Sequence, residues 1–274
     1  MPESDEERDE EELLALQAIF QRLLEAIKAD EGQWEVLEEL MDLRAQQLIG
    51  RALQGFGMSL EEALELLQSS EEGLGRVDKE KRIAIHAAID NLVDFAVAEE
   101  YQMVDDLNFD EENPTENDEK EALKVFKTYN QRYAKVENED VEYAMIVAAG
   151  LVTVRSTTML TYMTQGDERV RPWHRTYEGY SAPKSSFPHW LIPPIEHQCR
   201  CFLIEDDVYN QLNVQAARTG KLEMPDWFNP TFKESVAFGG RIFSDEHPYF
   251  QVDEAHVEKL SEISARIKTR YFDA

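Results

Sequence analysis

An apolar period of three to four residues runs through the first 160 or so positions of this chain and then stops abruptly. Leu13, Leu16, Phe20, Leu23, Leu24 and Ile27 recur at helical spacing with Glu and Lys between them, the pattern that buries one face of an α-helix. A second run goes from Trp34 through Leu37, Leu40, Met41 and Leu48 to about Leu53, where Gly55 and Gly57 are expected to stop it. Ser59 with Glu62 three residues on is a capping box, opening a short helix that holds Leu60, Leu64 and Leu67. Asp78 reads as the cap of a longer helix whose apolar side is Ile83, Ile85, Ala88, Ile89, Leu92, Val93 and Phe95. Helix is predicted again from near Glu116 to about Val136, and from roughly Glu139 to Met163 with Gly150 as a weak point. Amphipathic helices joined by short polar turns pack on one another, so this part reads as a bundle.

After Gly166 the pattern is different. Five of the ten prolines fall between Pro172 and Pro194, together with Trp173, Tyr177, Tyr180, Phe187 and Trp190. Such a stretch is ordered by side chains rather than by backbone ladders. Cys201–Ile204 is a candidate strand, Pro225–Phe250 is irregular with a turn at Gly239-Gly240, and a last amphipathic helix spans about Asp253 to Tyr271. The fold class expected is mainly α: an N-terminal acidic helical bundle followed by a mixed α+β, loop-rich domain. The chain divides into an acidic tail (1–12), a helical region (13–104), a linker (105–118) containing Asn113-Pro114, and the loop-rich domain with its terminal helix (119–274). Asp105 to Glu112 has neither the oxygen spacing nor the central glycine of an EF-hand, so calcium is not expected there. No repeat of 20 to 50 residues is visible, so a solenoid is not expected.

Charge separates the two halves. Residues 1–150 carry 39 acidic and 14 basic side chains, residues 151–274 carry 17 and 14. A first half with that excess repels phosphate, so direct binding to duplex DNA is not expected, and a basic partner suits it better. The bland alternative is a solvated helical surface. The longest uncharged apolar stretch, Tyr143 to Val154, is too short to span a membrane and reads as a buried helix. The acidic opening is the opposite of a secretory or mitochondrial leader. Two cysteines one residue apart, Cys199 and Cys201, cannot easily bridge each other, which fits a cytosolic chain with free or metal-bound thiols.

His197, Cys199 and Cys201 lie within five residues, and His174 precedes them across the proline-rich loop. These are the soft and borderline ligands that tetrahedral zinc prefers, and the four could close a structural site. The alternative is that the thiols pack as small hydrophobes and the histidines are hydrogen-bonded linchpins. A third reading makes a thiolate, lowered by Arg200 or a histidine, a nucleophile. Asp167, Arg169 and Arg171 read as an ion-paired network holding the loop, and no catalytic residue is assigned.

The same residues carry a resemblance. Asp167-Glu-Arg-Val-Arg-Pro-Trp-His174, then Gly179, Pro193-Pro194 and His197-x-Cys199-Arg-Cys201, resemble the head-morphogenesis domain of phage Mu F-type minor head proteins. Arg155-Ser-Thr157 stands where that family has an Arg-Thr-bearing helix. Trp227-Phe-Asn-Pro230, Gly239-Gly240 and Ile242-Phe-Ser-Asp-Glu-His247-Pro-Tyr249 resemble its tail. The resemblance covers roughly residues 140–252. It implies a minor structural protein of a tailed-phage head, not an enzyme. The partners it implies are portal, capsid or scaffold proteins, and the location is the capsid interior or portal vertex, with the host cytoplasm during assembly. The competing class is a zinc- or thiol-dependent enzyme, a hydrolase or nuclease carried in the head. A weaker third reading is an acidic mimic of nucleic acid, which leaves the proline-rich half unexplained. Ligand count separates the first two: a closed His2Cys2 set leaves zinc no position for water, and a catalytic site keeps one.

Overall fold

Helical periodicity in the sequence becomes long helices in the computed structural model, which describes residues 5–107, 116–205 and 222–272. The chain is mainly helical, with one small antiparallel sheet among the described residues. The helices are α1 (Asp5–Ala29), α2 (Gln33–Phe56), α3 (Leu60–Gln68), α4 (Arg76–Asp105), α5 (Glu116–Lys127), α6 (Ala134–Thr153), the single turn α7 (Pro172–Arg175) and α8 (Glu254–Phe272). They build two compact units, each from separated stretches of chain. Unit 1 comprises residues 1–51, 89–138 and 248–274, and unit 2 comprises 52–88 and 139–247. These units cut across the sequence division at 105–118. Both draw on residues before and after it, and α8 belongs with the N-terminal helices. Residues 108–115 of that linker lie outside the described residues, as do 1–4 of the acidic tail, whereas Asp5–Glu12 are already helix.

In unit 1 the a/d-like faces named above meet. Leu16, Phe20 and Leu23 of α1, Leu40 and Met41 of α2, Leu92, Val93 and Phe95 of α4, and Ile263 of α8 are buried. The Phe20 and Phe126 rings stack at 4.6 Å. Between α5 and α6 the chain does not break at Val136–Glu139 as predicted. A π-helical turn, Thr128–Tyr133, joins them without interruption and turns Tyr129 and Asn130 inward.

In unit 2 the capping box at Ser59 forms in both directions: the Glu62 amide donates to Ser59 Oγ at 3.2 Å, and the Ser59 amide to Glu62 Oε2 at 2.8 Å. Gly55 does not stop α2. A Cβ there would lie 2.3 Å from the Glu142 carbonyl oxygen, so glycine lets α2 press on the backbone of α6. Gly57, at φ +72°, ends the helix, with the Met58 amide bonded back to Leu53 O at 3.0 Å. Asp78 sits inside the first turn of α4, which begins at Arg76, and is not its cap.

The helix predicted over Glu139–Met163 ends at Thr153, and Met159–Met163 is strand β1. The cause lies in the run Val152-Thr-Val, followed by Ser156-Thr-Thr, whose branched and hydroxyl side chains favour leaving the helix. Two cations seal the break. Arg76 donates to the carbonyls of Thr153 (2.9 Å) and Val154 (3.2 Å), and buried Lys184 Nζ donates to Leu151 O (2.7 Å), Val154 O (3.1 Å) and Glu80 Oε2 (2.5 Å). Strand β1 pairs with β2 (Ser181–Pro183), Leu160 opposite Ala182, and with β3 (Phe202–Glu205), Thr161 opposite Ile204. The order is β2-β1-β3, all antiparallel. The remaining described chain to His247 is largely irregular, punctuated by four short 3-10 turns.

Candidate metal centre

The irregular segment of unit 2 brings three of the four expected ligands together. His174 Nδ1 lies 3.2 Å from Cys201 Sγ and 3.8 Å from Cys199 Sγ. One ligand atom from each of the three residues falls within 4.8 Å of the others, and all three residues are buried. Each gets there by a distinct local device. Pro172 starts the turn of α7, which aims His174 inward. The Cys199 amide closes a turn onto Glu196 O at 3.1 Å. Cys201 stands at the mouth of β3, its carbonyl accepting from Tyr143 Oη at 2.5 Å.

His197 is not the fourth member. Its Nδ1 faces Asp140 Oδ2 at 2.8 Å, and the other oxygen of Asp140 accepts the Gln198 amide at 2.6 Å. Asp140, buried on α6, thus clamps the turn in which Gln198 adopts φ +56°. Burial raises the Asp140 carboxyl while His197 pulls it back down. His197 therefore orients the cysteine loop from outside the cluster. His247, from the tail, packs near it, and burial pushes that imidazole down to about 4.

The far side of His174 is equally built. Nε2 meets Glu196 Oε2 at 3.2 Å, and Glu196 also takes Trp173 Nε1 at 3.1 Å and Arg171 Nε at 3.2 Å. Arg171 donates to His197 O at 2.9 Å, and Arg200 holds both oxygens of Asp167 at 2.9 Å. Asp167 and Arg171 thus tie the loop, but the side chain that pairs with Asp167 is Arg200, and Arg169 reaches the same carboxylate through its backbone amide at 3.1 Å. Glu196, Asp140 and Tyr162 went unnoticed in the sequence. Only Glu196 carries a local signal there, one position before His197.

The hydrogen bond between the two thiols raises Cys199, reinforced by burial, and lowers Cys201. The three donor atoms lie close enough together to hold a metal ion. Bond lengths of about 2.3 Å to sulfur and 2.0–2.1 Å to nitrogen place a tetrahedral ligand pair about 3.6 Å apart, N to S. The two observed separations bracket that figure. A carboxylate on the outer imidazole nitrogen is the usual support of a metal-bound histidine.

Unit 1 holds a second buried polar cluster. Arg44 donates to Glu99 Oε2 at 2.8 Å, Glu137 Oε2 at 3.0 Å and Asn138 Oδ1 at 2.9 Å. Tyr249 Oη donates to Glu137 Oε1 at 3.0 Å, and Asn130 Nδ2 to Glu100 Oε2 at 3.3 Å. Three buried carboxyls thus share one guanidinium. Burial, then the neighbouring Glu99, pushes Glu100 up to about 8 and holds Glu137 well above the usual carboxylate range. The signal was present in the sequence as Glu99-Glu100 inside the apolar run Ala96-Val-Ala and Tyr101.

Comparison of the chain with protein-family models, with curated proteins and with solved structures gives no match. No helix among the described residues is long and apolar enough to cross a membrane.

Proposed function

We propose that this protein is a minor structural and assembly protein of a tailed-phage head, acting at the portal or procapsid, and that zinc on His174, Cys199 and Cys201 fastens its loop-rich unit. One observation carries the reading. The residues that bear the resemblance to phage Mu F-type minor head proteins are the ones that build the centre: Arg171, Trp173 and His174 converge with His197, Cys199 and Cys201. A segment with few backbone ladders needs such a pin, and a closed metal site supplies folding energy directly. When bound, zinc would contribute a charge-neutralising cross-link between α7 and the start of β3. The acidic helices suit a basic surface on the portal or on an inner capsid face.

The enzyme reading keeps one observation of its own. Cys201, His174 and Glu196 line up as thiol, imidazole and carboxylate, the order of a nucleophile, its base and an orienting group. Burial weighs against it: Cys201 is 3% exposed and His174 2%, which leaves a substrate no approach. Co-purification with portal protein from infected cells, alongside elemental analysis, tests the proposal. Portal retention and about one zinc per chain support it. A zinc-free chain that leaves the portal in the flow-through but hydrolyses model esters or DNA would replace it with the enzyme reading.

A further inference from the structure

Three ligands leave a tetrahedral ion one position short, and among the described residues of unit 2 one buried side-chain group without a partner could take it. Tyr162, in the middle of β1, is 0% exposed, and its hydroxyl has no hydrogen-bond partner. β1 pairs directly with β3, the strand that Cys201 leads into, and the phenol interacts electrostatically with both Cys199 and Cys201. A buried phenol with nothing to bond to is costly, and such groups call for a specific explanation. The nearby carboxylates are already committed. Glu196 accepts from Trp173 and stands against His174 and Arg171, and Glu178 accepts from Thr164 Oγ1 at 2.5 Å. Asp140 is spent on His197 and Gln198. Tyr143, the other phenol here, donates to the Cys201 carbonyl.

We infer that the Tyr162 hydroxyl is the fourth ligand, so that the centre is a closed His-Cys-Cys-Tyr site in which β1, α7 and the loop before β3 meet at one ion. This rests on the zinc reading above. On binding, the ion takes the place of the phenol proton, which leaves to solvent, and the oxygen becomes an anionic donor as a carboxylate oxygen would be. The sheet then belongs to the centre. Tyr162 is fixed in place by its own backbone, whose amide donates to Tyr180 O at 2.9 Å and whose carbonyl accepts the Gly179 amide at 2.8 Å. An open site would instead put water in the fourth position, whereas Tyr162, His174, Cys199 and Cys201 are all buried.

The test uses the full chain, stripped of metal under reducing conditions and titrated with Zn²⁺ and, as a coloured stand-in, Co²⁺. Wild type should bind one equivalent and develop the near-ultraviolet tyrosinate band as it does so, with cobalt visible absorption of tetrahedral intensity. Tyr162→Phe should lose that band and weaken zinc in chelator competition by at least about 10–100-fold, the range that loss of even a supporting partner costs. Tyr143→Phe should keep the band. Equal zinc affinity in wild type and Tyr162→Phe, or metal bound by wild type with no tyrosinate band, overturns this inference and leaves the three-ligand site standing. Wild type that takes up no metal overturns the zinc reading as well. Should Tyr162→Phe fail to fold, the band in wild type alone decides.

Discussion

Unit 1 should lose stability as pH rises from acid to mildly alkaline, and Glu100 should account for much of the loss. Its carboxyl faces Glu99 on its own helix, Arg44 from α2 and Asn130 from the π-helical turn, while Glu137 from α6 competes for the same guanidinium, with Tyr249 and Tyr129 at the edge of the group. One guanidinium cannot balance three carboxylates in a desolvated core. The sign follows from where the proton sits. Below about 4.5, the ordinary value, Glu100 is protonated whether the chain is folded or not, and the group has no effect. Between there and about 8 the unfolded chain gives up this proton while the folded one retains it, so unfolding gains. At about 1.36 kcal/mol per pH decade, the difference between 4.5 and about 8 amounts to on the order of 5 kcal/mol, complete once pH passes the folded value. Glu137 adds in the same direction. The assay is guanidinium unfolding of wild type and Glu100→Gln at half-unit steps from pH 5 to 9. The amide keeps the shape and a donor-acceptor pair for Asn130 but cannot ionise. Wild type should weaken steadily toward pH 8 and then level off, and Glu100→Gln should weaken less, gaining several kcal/mol over wild type at pH 8.5. Parallel curves for the two proteins would refute the argument, because the proton would then not reside on Glu100.

Replacing both Cys199 and Cys201 by Ser should destabilise unit 2, by roughly 1–3 kcal/mol if the thiols only pack and by more if zinc is lost with them; thermal melts of wild type with and without chelator separate the two cases. Lys184→Met should cost about 2–4 kcal/mol in chemical unfolding, since it removes a buried ammonium shared by the carbonyls of Leu151 and Val154 and the Glu80 carboxylate, leaving Val154 and Glu80 to Arg76; a cost below about 0.5 kcal/mol would mean that the end of α6 is sealed by Arg76 alone. The chain should show no salt-dependent micromolar affinity for random duplex DNA in a fluorescence anisotropy titration, because the acidic excess provides no phosphate-binding surface.

The helices were legible because burial and period are the same statement in an amphipathic sequence. Leu16, Phe20 and Leu23 are where the period puts them, and the capping box at Ser59 needs only two residues to be recognised. What the period could not convey was how the helices are shared out. Residues 13–104 look like one region because they are uniformly helical, yet 52–88 pack with the loop-rich half and α8 returns to the N-terminal helices. Which bundle a helix joins depends on long-range partners such as Gly55 against Glu142, and a glycine reads locally as a stop. β1 was missed for a related reason. Met159–Met163 follows an apolar helix without a proline or glycine between them, and the two side chains that seal the end of α6, Arg76 and Lys184, lie far from it in the sequence.

The candidate centre was legible in residue type and illegible in geometry. Cysteine and histidine announce themselves by rarity, so His174, Cys199 and Cys201 could be chosen from a list of eight such side chains. Proximity in sequence then misled the choice of the fourth. His197 lies two residues from Cys199, but the positive φ of Gln198 between them turns the imidazole toward Asp140 instead. Tyr162 has no such rarity: it is one of ten tyrosines, on a strand that pattern reading assigned to a helix. Only the pairing of β1 with β3 brings that phenol to the thiols. A ligand supplied across a sheet register is invisible until the register is known, and that is why a site whose residue types stand out in the sequence can still be read with the wrong fourth member.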